Sequence, residues 1–178
     1  GAAGAEERTL LIDDCDDGDA VSALGGPWLS YDDYHDPNRG ESVVWPTSWF
    51  KDGEFTMSEP GLGGGGYAAR ITGTTATKLG YDYVGLVVAL GPHSYCPDPQ
   101  PAAIDVGSYA GLRFQAKGSA SGGELMVKIL HSKEGTADYC QDNGLTGDTL
   151  TGWADYAATF TDRLSADWTE ITLDFRRD

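Results

Sequence analysis

The chain has 178 residues, of which 40% are hydrophobic, so it is long and apolar enough to bury a sizeable core and is not a disordered polypeptide. Its 28 acidic and 12 basic residues give a formal net charge of −16, which repels nucleic-acid phosphates and anionic membranes. No apolar run approaches the roughly 18 residues that a membrane-spanning helix needs. We therefore expect no nucleic-acid and no membrane partner, which leaves neutral polymers and cations as ligands.

The predicted elements are short strands separated by turn residues. Residues 1–8 carry neither the basic nor the apolar region of a signal peptide, and we expect a linker or a processed N-terminus there. Residues 9–178 are predicted to form one domain, since no stretch keeps the 3.6-residue apolar period of a helix. The predicted strands are residues 9–12, 67–71, 84–90, 112–116, 125–130, 156–160 and 168–175.

Alternation of apolar and polar residues assigns the faces of several strands. Leu112 and Phe114 point to one side of their strand, whereas Arg113 and Gln115 point to the other. Residues 125–130 and 170–175 alternate in the same way. One apolar and one polar face per strand is typical of two antiparallel sheets packed together, and it predicts an all-β fold, a β-sandwich of jelly-roll type.

The segment 25–62 does not fit a strand ladder, because prolines interrupt it and aromatic residues crowd it. We expect an ordered excursion with a function, since long irregular segments inside compact domains are otherwise uncommon. Sugars present apolar C–H faces that stack on aromatic rings, while their hydroxyls need polar partners. The aromatic residues of this segment are Trp28, Tyr31, Tyr34, Trp45, Trp49 and Phe50.

The acidic run 12–19 has two interpretations. Clustered aspartates, with Asp14 and Asp16 as the candidate ligands, supply the oxygen atoms that a calcium ion prefers. The run lacks the EF-hand order of ligands, however, and a solvated acidic turn explains it equally simply.

The three cysteines show no metal-site spacing. Cys96 and Cys140 each lie in a turn-rich segment, which favours a Cys96–Cys140 disulfide and an oxidising compartment, while two free surface thiols are the alternative. Cys15 lies beside a predicted strand and is expected to be a small buried apolar residue.

Signs of catalysis are absent from the sequence. Glycosidases need two carboxylates across a cleft, but the acidic clusters here lie at predicted turns. No nucleophile elbow, zinc-protease motif or phosphate-binding loop occurs. His131 follows a predicted strand, where it is either a hydrogen-bonding group for a ligand or a solvated side chain. We therefore predict that the chain is not an enzyme.

Six segments follow one another along most of the chain in the order of a known motif set. They are residues 11–19 (LIDDCDDGD), 23–28 (ALGGPW), 66–74 (GYAARITGT), 83–86 (YVGL), 109–118 (YAGLRFQAKG) and 167–175 (DWTEITLDF). Together they resemble the motifs of the family 11 carbohydrate-binding modules and their relatives. Cys15 stands where that pattern has Phe, residues 37–62 are longer than the family core, and the family continues with further strands beyond its last motif.

The resemblance implies a jelly-roll module with structural calcium that binds β-1,4 or mixed β-1,3-1,4 glucan chains on a concave sheet face, without cleaving them. It also implies a secreted or cell-surface protein, tethered to a glycoside hydrolase or to a cell-surface protein. The residues expected to bind the polysaccharide are Trp28, Tyr31, Tyr83, Arg113, Gln115, Met126, Lys128, His131 and Tyr156.

Two other functions fit the same sequence. An extracellular structural or adhesive protein could use the sandwich for assembly, with another chain completing its open sheet edge. A glycan-active enzyme is the third interpretation. Filament formation would favour the structural or adhesive protein, and release of reducing ends from β-glucan would favour the enzyme.

Overall fold

The computed structural model describes residues 8–35, 38–48, 54–90, 109–129 and 156–175, and those residues form eight β-strands with no α-helix. Within this part of the chain the predicted all-β class is confirmed, and no helix is long and apolar enough to cross a membrane. Three short 3-10 turns accompany the strands, at Asp33–His35, Leu62–Gly64 and Thr161–Arg163. The strands are β1 (Trp28–Asp32), β2 (Val43–Trp45), β3 (Thr72–Thr74), β4 (Val84–Val88), β5 (Gly111–Ala116), β6 (Met126–Ile129), β7 (Tyr156–Thr159) and β8 (Thr169–Asp174).

The strands pair two by two in antiparallel ladders, β1 with β4, β2 with β3, β5 with β8 and β6 with β7. The sequence predicted one domain over residues 9–178, and the contacts group the chain into two compact units. One unit is Leu11–Ser94, which carries β1 to β4. The other consists of Gly1–Leu10 and Tyr95–Asp178 and carries β5 to β8.

The unit with β5 to β8 has an apolar core that both of its ladders share. Ile171 and Leu173 of β8 are fully buried, and Ala158 of β7 joins them. Phe114 and Phe160 pack against this cluster and meet edge to face, with their ring centroids 5.6 Å apart. The alternation predicted for β5 and β8 is confirmed, since the inward positions build the core.

The unit with β1 to β4 has a polar interior. Its buried hydrophobic side chains, among the residues that the structure describes, are Val44 and Phe55. Polar side chains fill most of the remaining buried positions, and they satisfy backbone groups that would otherwise lack partners. The buried polar residues are Ser22, Ser30, Asp32, Asp33, Ser42 and Ser48.

Three local predictions within residues 9–71 are wrong. Residues 9–12 form no strand, and just beyond them the Asp13 carboxylate accepts the Cys15 N–H at 3.0 Å, a local turn contact that competes with strand pairing. Residues 67–71 pair only at Ala68, and the strand begins later, at β3. The predicted strand 84–90 is confirmed over Val84–Val88, and all five residues of β4 are half-buried.

The segment 25–62 is the third wrong prediction, because it contains both β1 and β2. Each of these strands is short, at five and three residues, and prolines flank them in the sequence. Side-chain hydrogen bonds to the backbone hold them in place, which a pattern of apolar alternation does not reveal.

Candidate functional site

The outer face of the β5–β8 ladder is polar and open to solvent. Arg113 lies directly opposite Thr172, and Gln115 lies opposite Glu170. All four side chains are exposed, on the side of the ladder away from the buried Ile171. This polar face, defined by those four residues, offers guanidinium, amide, hydroxyl and carboxylate groups to a hydroxylated ligand.

Contacts within the polar face hold its side chains without removing them from solvent. The Gln115 amide donates a hydrogen bond to the Glu170 carboxylate at 3.3 Å. The Arg163 guanidinium donates to the Thr172 carbonyl at 2.7 Å and leaves the Thr172 hydroxyl on the outer side. The predicted exposure of Arg113 and Gln115 is therefore confirmed, while their role in binding stays a prediction.

Other predicted binding residues of this unit are less fully placed. Met126 of β6 is 41% exposed and lies opposite the exposed Thr159 of β7. Lys128 and Tyr156 belong to β6 and β7, where only their backbone positions are described. His131 lies outside the described residues.

Three of the predicted aromatic binding residues, Trp28, Tyr31 and Tyr83, belong to the other unit, Leu11–Ser94, and make contacts within its fold. Trp28 is half-buried, and its indole N–H donates to the Asp13 carboxylate at 2.5 Å. Burial raises the pKa of the Tyr31 hydroxyl above its ordinary value. Tyr83 is half-buried and its ring centroid lies 5.9 Å from that of Tyr31. Tyr31 and Tyr83 contact each other, and all three rings are half-buried, so they present only part of their surface to a ligand.

A second exposed surface lies on the β2–β3 ladder, and the sequence prediction missed it. Trp45 is 71% exposed, more than any other large hydrophobic side chain that the structure describes, and Val43 is 50% exposed. Trp45 lies opposite Thr72 and Val43 lies opposite Thr74, so all four side chains share one face. We call these four residues the Trp45 face. An open groove of about 410 Å³ runs along the same two strands.

Alternation across residues 42–48 is the signal that could have located Trp45. Positions 42, 44, 46 and 48 are buried, and positions 43 and 45 point outward. The inward residues are Ser42, Val44, Pro46 and Ser48, three of which are not typical core residues. An apolar pattern therefore does not mark Val44 as the inward residue and Trp45 as the outward one.

The buried carboxylate of Asp33 fixes the start of the segment 42–48. Asp33 is fully buried and accepts hydrogen bonds from the Ser42 backbone N–H at 2.7 Å and from the Ser42 hydroxyl at 2.6 Å. The Tyr83 N–H donates to the second carboxylate oxygen at 3.4 Å. Gly40 packs so tightly against Asp33 that a Cβ atom there would overlap the carboxylate. Since its oxygens already accept three donors, Asp33 is a structural anchor.

Asp32 and Ser30 of β1 fix the rest of the stretch. Asp32 accepts the Val44 N–H at 3.0 Å, and its other oxygen lies 2.6 Å from Nδ1 of His35. The Ser30 hydroxyl donates to the carbonyl of Pro46, and the Ser48 hydroxyl accepts the Ser30 N–H at 2.6 Å. Buried side chains of β1 thus hold the backbone on both sides of Trp45.

The predicted calcium ligands lie in a turn that satisfies its own backbone. The Asp14 carboxylate accepts the Asp16 N–H at 3.2 Å, in an exposed position. Among the described residues, no three or more His, Cys, Asp or Glu side chains are grouped so as to hold a metal ion. The calcium interpretation therefore gains no support from the geometry and stays a prediction.

Cys15 is free and half-buried, so the expectation of a buried side chain is only partly met. It adopts a left-handed backbone conformation, with φ at 60°, within the acidic turn. Burial, together with the nearby Asp13 carboxylate, raises the pKa of its thiol to about 11. The predicted Cys96–Cys140 disulfide lies outside the described residues.

No protein-family model, no curated protein and no solved structure matches this chain. The surfaces described above and the sequence resemblance are therefore what bears on function.

Proposed function

We propose that the chain is a non-catalytic carbohydrate-binding module that recognises a neutral linear β-glucan, with β-1,4 or mixed β-1,3-1,4 linkages. The observation that carries the proposal is the polar face of β5 and β8. The exposed side of this ladder carries four polar side chains, and the opposite side packs into the core. The four are Arg113, Gln115, Glu170 and Thr172. Such a row of hydrogen-bonding groups suits the many hydroxyls of an extended sugar chain.

The charge of the molecule supports a neutral ligand. A formal net charge of −16 disfavours polyanions, including acidic polysaccharides. A neutral glucan offers hydroxyls and apolar ring faces and needs no ion pair, so the acidic surface does not oppose its approach.

The spacing of the carboxylates on β8 supports binding without cleavage. Glu170 and Asp174 point to the same side of the strand, but four residues of a strand span about 13 Å. The two carboxyl groups of a glycosidase lie only about 5–9.5 Å apart. Glu170 is also engaged by the Gln115 amide, which suits a residue that orders the polar face.

The proposal includes a jelly-roll β-sandwich of the family 11 type, on a secreted or cell-surface protein linked to a glycoside hydrolase or a surface protein. A structural calcium ion near Asp14 and Asp16 belongs to the same proposal. Adding a chelator should then lower the melting temperature more than the glucan affinity, because an ion that stabilises only the folded state acts by mass action.

Affinity electrophoresis on a panel of neutral polysaccharides tests the proposal directly. We expect retardation by soluble mixed-linkage β-glucan or a β-1,4-linked relative, and no release of reducing ends on incubation. Normal mobility in gels containing β-glucan, xyloglucan and mannan would reject glycan binding. Release of reducing ends would instead identify a glycan-active enzyme.

A further inference from the structure

We infer that the Trp45 face, formed by Val43, Trp45, Thr72 and Thr74, is a second ligand surface that stacks on the apolar face of a neutral pyranose ring. The inference rests on the proposed function and concerns the unit Leu11–Ser94, whereas the polar face belongs to the other unit. The outward positions described on β5 and β8 carry no aromatic ring. A sugar chain held by hydrogen bonds alone gains little net affinity over water, whereas a ring stacked on tryptophan also buries apolar area.

The exposure of Trp45 is the first observation. Its side chain is 71% exposed. The preceding residue, Val44, points to the opposite side of the strand and is 4% exposed. Tryptophan is usually well covered in folded proteins, so a ring this exposed suggests a surface that binds a ligand. Val43 extends the apolar surface along the same strand.

The rigidity of the strand is the second observation. Asp33 holds Ser42, Asp32 holds the Val44 N–H, and Ser30 holds Pro46, so the backbone is anchored before, beside and after Trp45. All of these side chains are buried and hydrogen-bonded. A surface ordered before binding loses less conformational entropy when the ligand arrives. The buried polar contacts of Ser30, Asp32 and Asp33 thus fix the backbone from which the ring projects.

The composition of the face favours a sugar over a second copy of the chain. A stable protein interface buries about 800 Å² on each partner, and one tryptophan ring accounts for about 250 Å² at most. Two copies of a chain with a net charge of −16 also repel each other. A pyranose ring, by contrast, needs one aromatic face and nearby hydroxyl groups, and Thr72 and Thr74 supply the hydroxyls beside Trp45.

Three variants test the inference, with soluble mixed-linkage β-1,3-1,4-glucan as the probe in affinity electrophoresis and calorimetry. Trp45→Ala should weaken binding about tenfold, and Trp45→Phe should fall between that variant and wild type because a smaller ring remains. Leu62→Ala is the matched control, since Leu62 is 55% exposed but does not line the groove, and it should bind like wild type. All three should melt like wild type, because both positions are exposed.

The outcomes separate the inference from the proposed function. If wild type binds the glucan and Trp45→Ala binds equally well, the Trp45 face is not a ligand surface, while the proposed function stands. If wild type binds no neutral glycan, both fail together. Sedimentation decides between ligand and interface: a dimer that Trp45→Ala converts to monomer would identify a contact between copies and overturn the inference.

Discussion

The ring of Tyr31 lies against the backbone of Gly85 across the β1–β4 ladder. The two residues are directly paired, and a Cβ atom built on Gly85 would overlap the tyrosine ring. Glycine at this position lets the ring lie flat on the ladder, where it also meets Tyr83. The absence of a side chain at Gly85 thus makes room for the Tyr31 ring, which contacts Tyr83, and both tyrosines are predicted to bind ligand.

Gly85→Ala should destabilise the fold by about 1–3 kcal/mol, because the added methyl group pushes the Tyr31 ring out of place. Urea unfolding measures the loss. Gly65→Ala is the control, since that residue has extended dihedral angles and no atom within 4 Å of the added Cβ. Equal stability of the two variants would show that the ring does not depend on Gly85.

Asp33→Ala should lower the free energy of unfolding by about 3 kcal/mol, because it removes the carboxylate that accepts the buried N–H of Ser42 and the N–H of Tyr83. Glu41→Gln is the matched control. Its carboxylate makes only an exposed ion pair with Lys78, at 3.5 Å, so the change should cost less than about 1 kcal/mol. A loss for Asp33→Ala no larger than that of the control would contradict the structural role assigned to Asp33.

The thiol of Cys15 should alkylate slowly in the folded protein at pH 8 and faster up to pH 11. Its pKa rises from 9.0 to about 11 on folding, so the neutral thiol is favoured in the native state. The stability that this shift contributes is present below pH 9 and is lost as the pH rises toward 11. Mass spectrometry of the Cys15 peptide gives the rate, with urea-unfolded protein as the reference. A rate that levels off near pH 9 in the folded protein would refute the shift.

Arg113→Ala and Gln115→Ala should each weaken glucan binding by on the order of 1 kcal/mol through lost hydrogen bonds, without unfolding the protein, since both side chains are exposed. Lys78→Ala removes an exposed positive charge from the other unit and serves as the control for charge alone. Calorimetry separates the three variants. Unchanged binding by both Arg113→Ala and Gln115→Ala would show that the polar face does not bind glucan.

The sequence predicted the unit with β5 to β8 better than the other unit. In the middle of β5 and β8 the inward residues Phe114, Ile171 and Leu173 are apolar and the residues between them are polar, so alternation alone placed Phe114 inside and Arg113 outside. The interior of the other unit is built from serines and aspartates, which an apolar pattern does not detect. Asp33 is the extreme case, because an acidic residue next to a turn is ordinarily solvated.

Trp45 escaped prediction for a related reason. The nearby residues Ser42 and Ser48 point inward, where Asp33, directly after β1, and Ser30 of β1 provide buried hydrogen-bond partners. Those partners lie nine or more positions away in the sequence, so no local pattern connects them. The exposed ring is therefore a consequence of tertiary contacts.

Calorimetric titration of the purified chain with a soluble mixed-linkage β-1,3-1,4-glucan, at low and at high salt, tests the central claim most directly. The account predicts saturable binding with nearly the same dissociation constant at both salt concentrations, because no ion pair forms with a neutral ligand. Reducing ends assayed in the same samples should stay constant. An absence of binding heat and of gel retardation with every neutral glycan, or binding that salt abolishes, would contradict it.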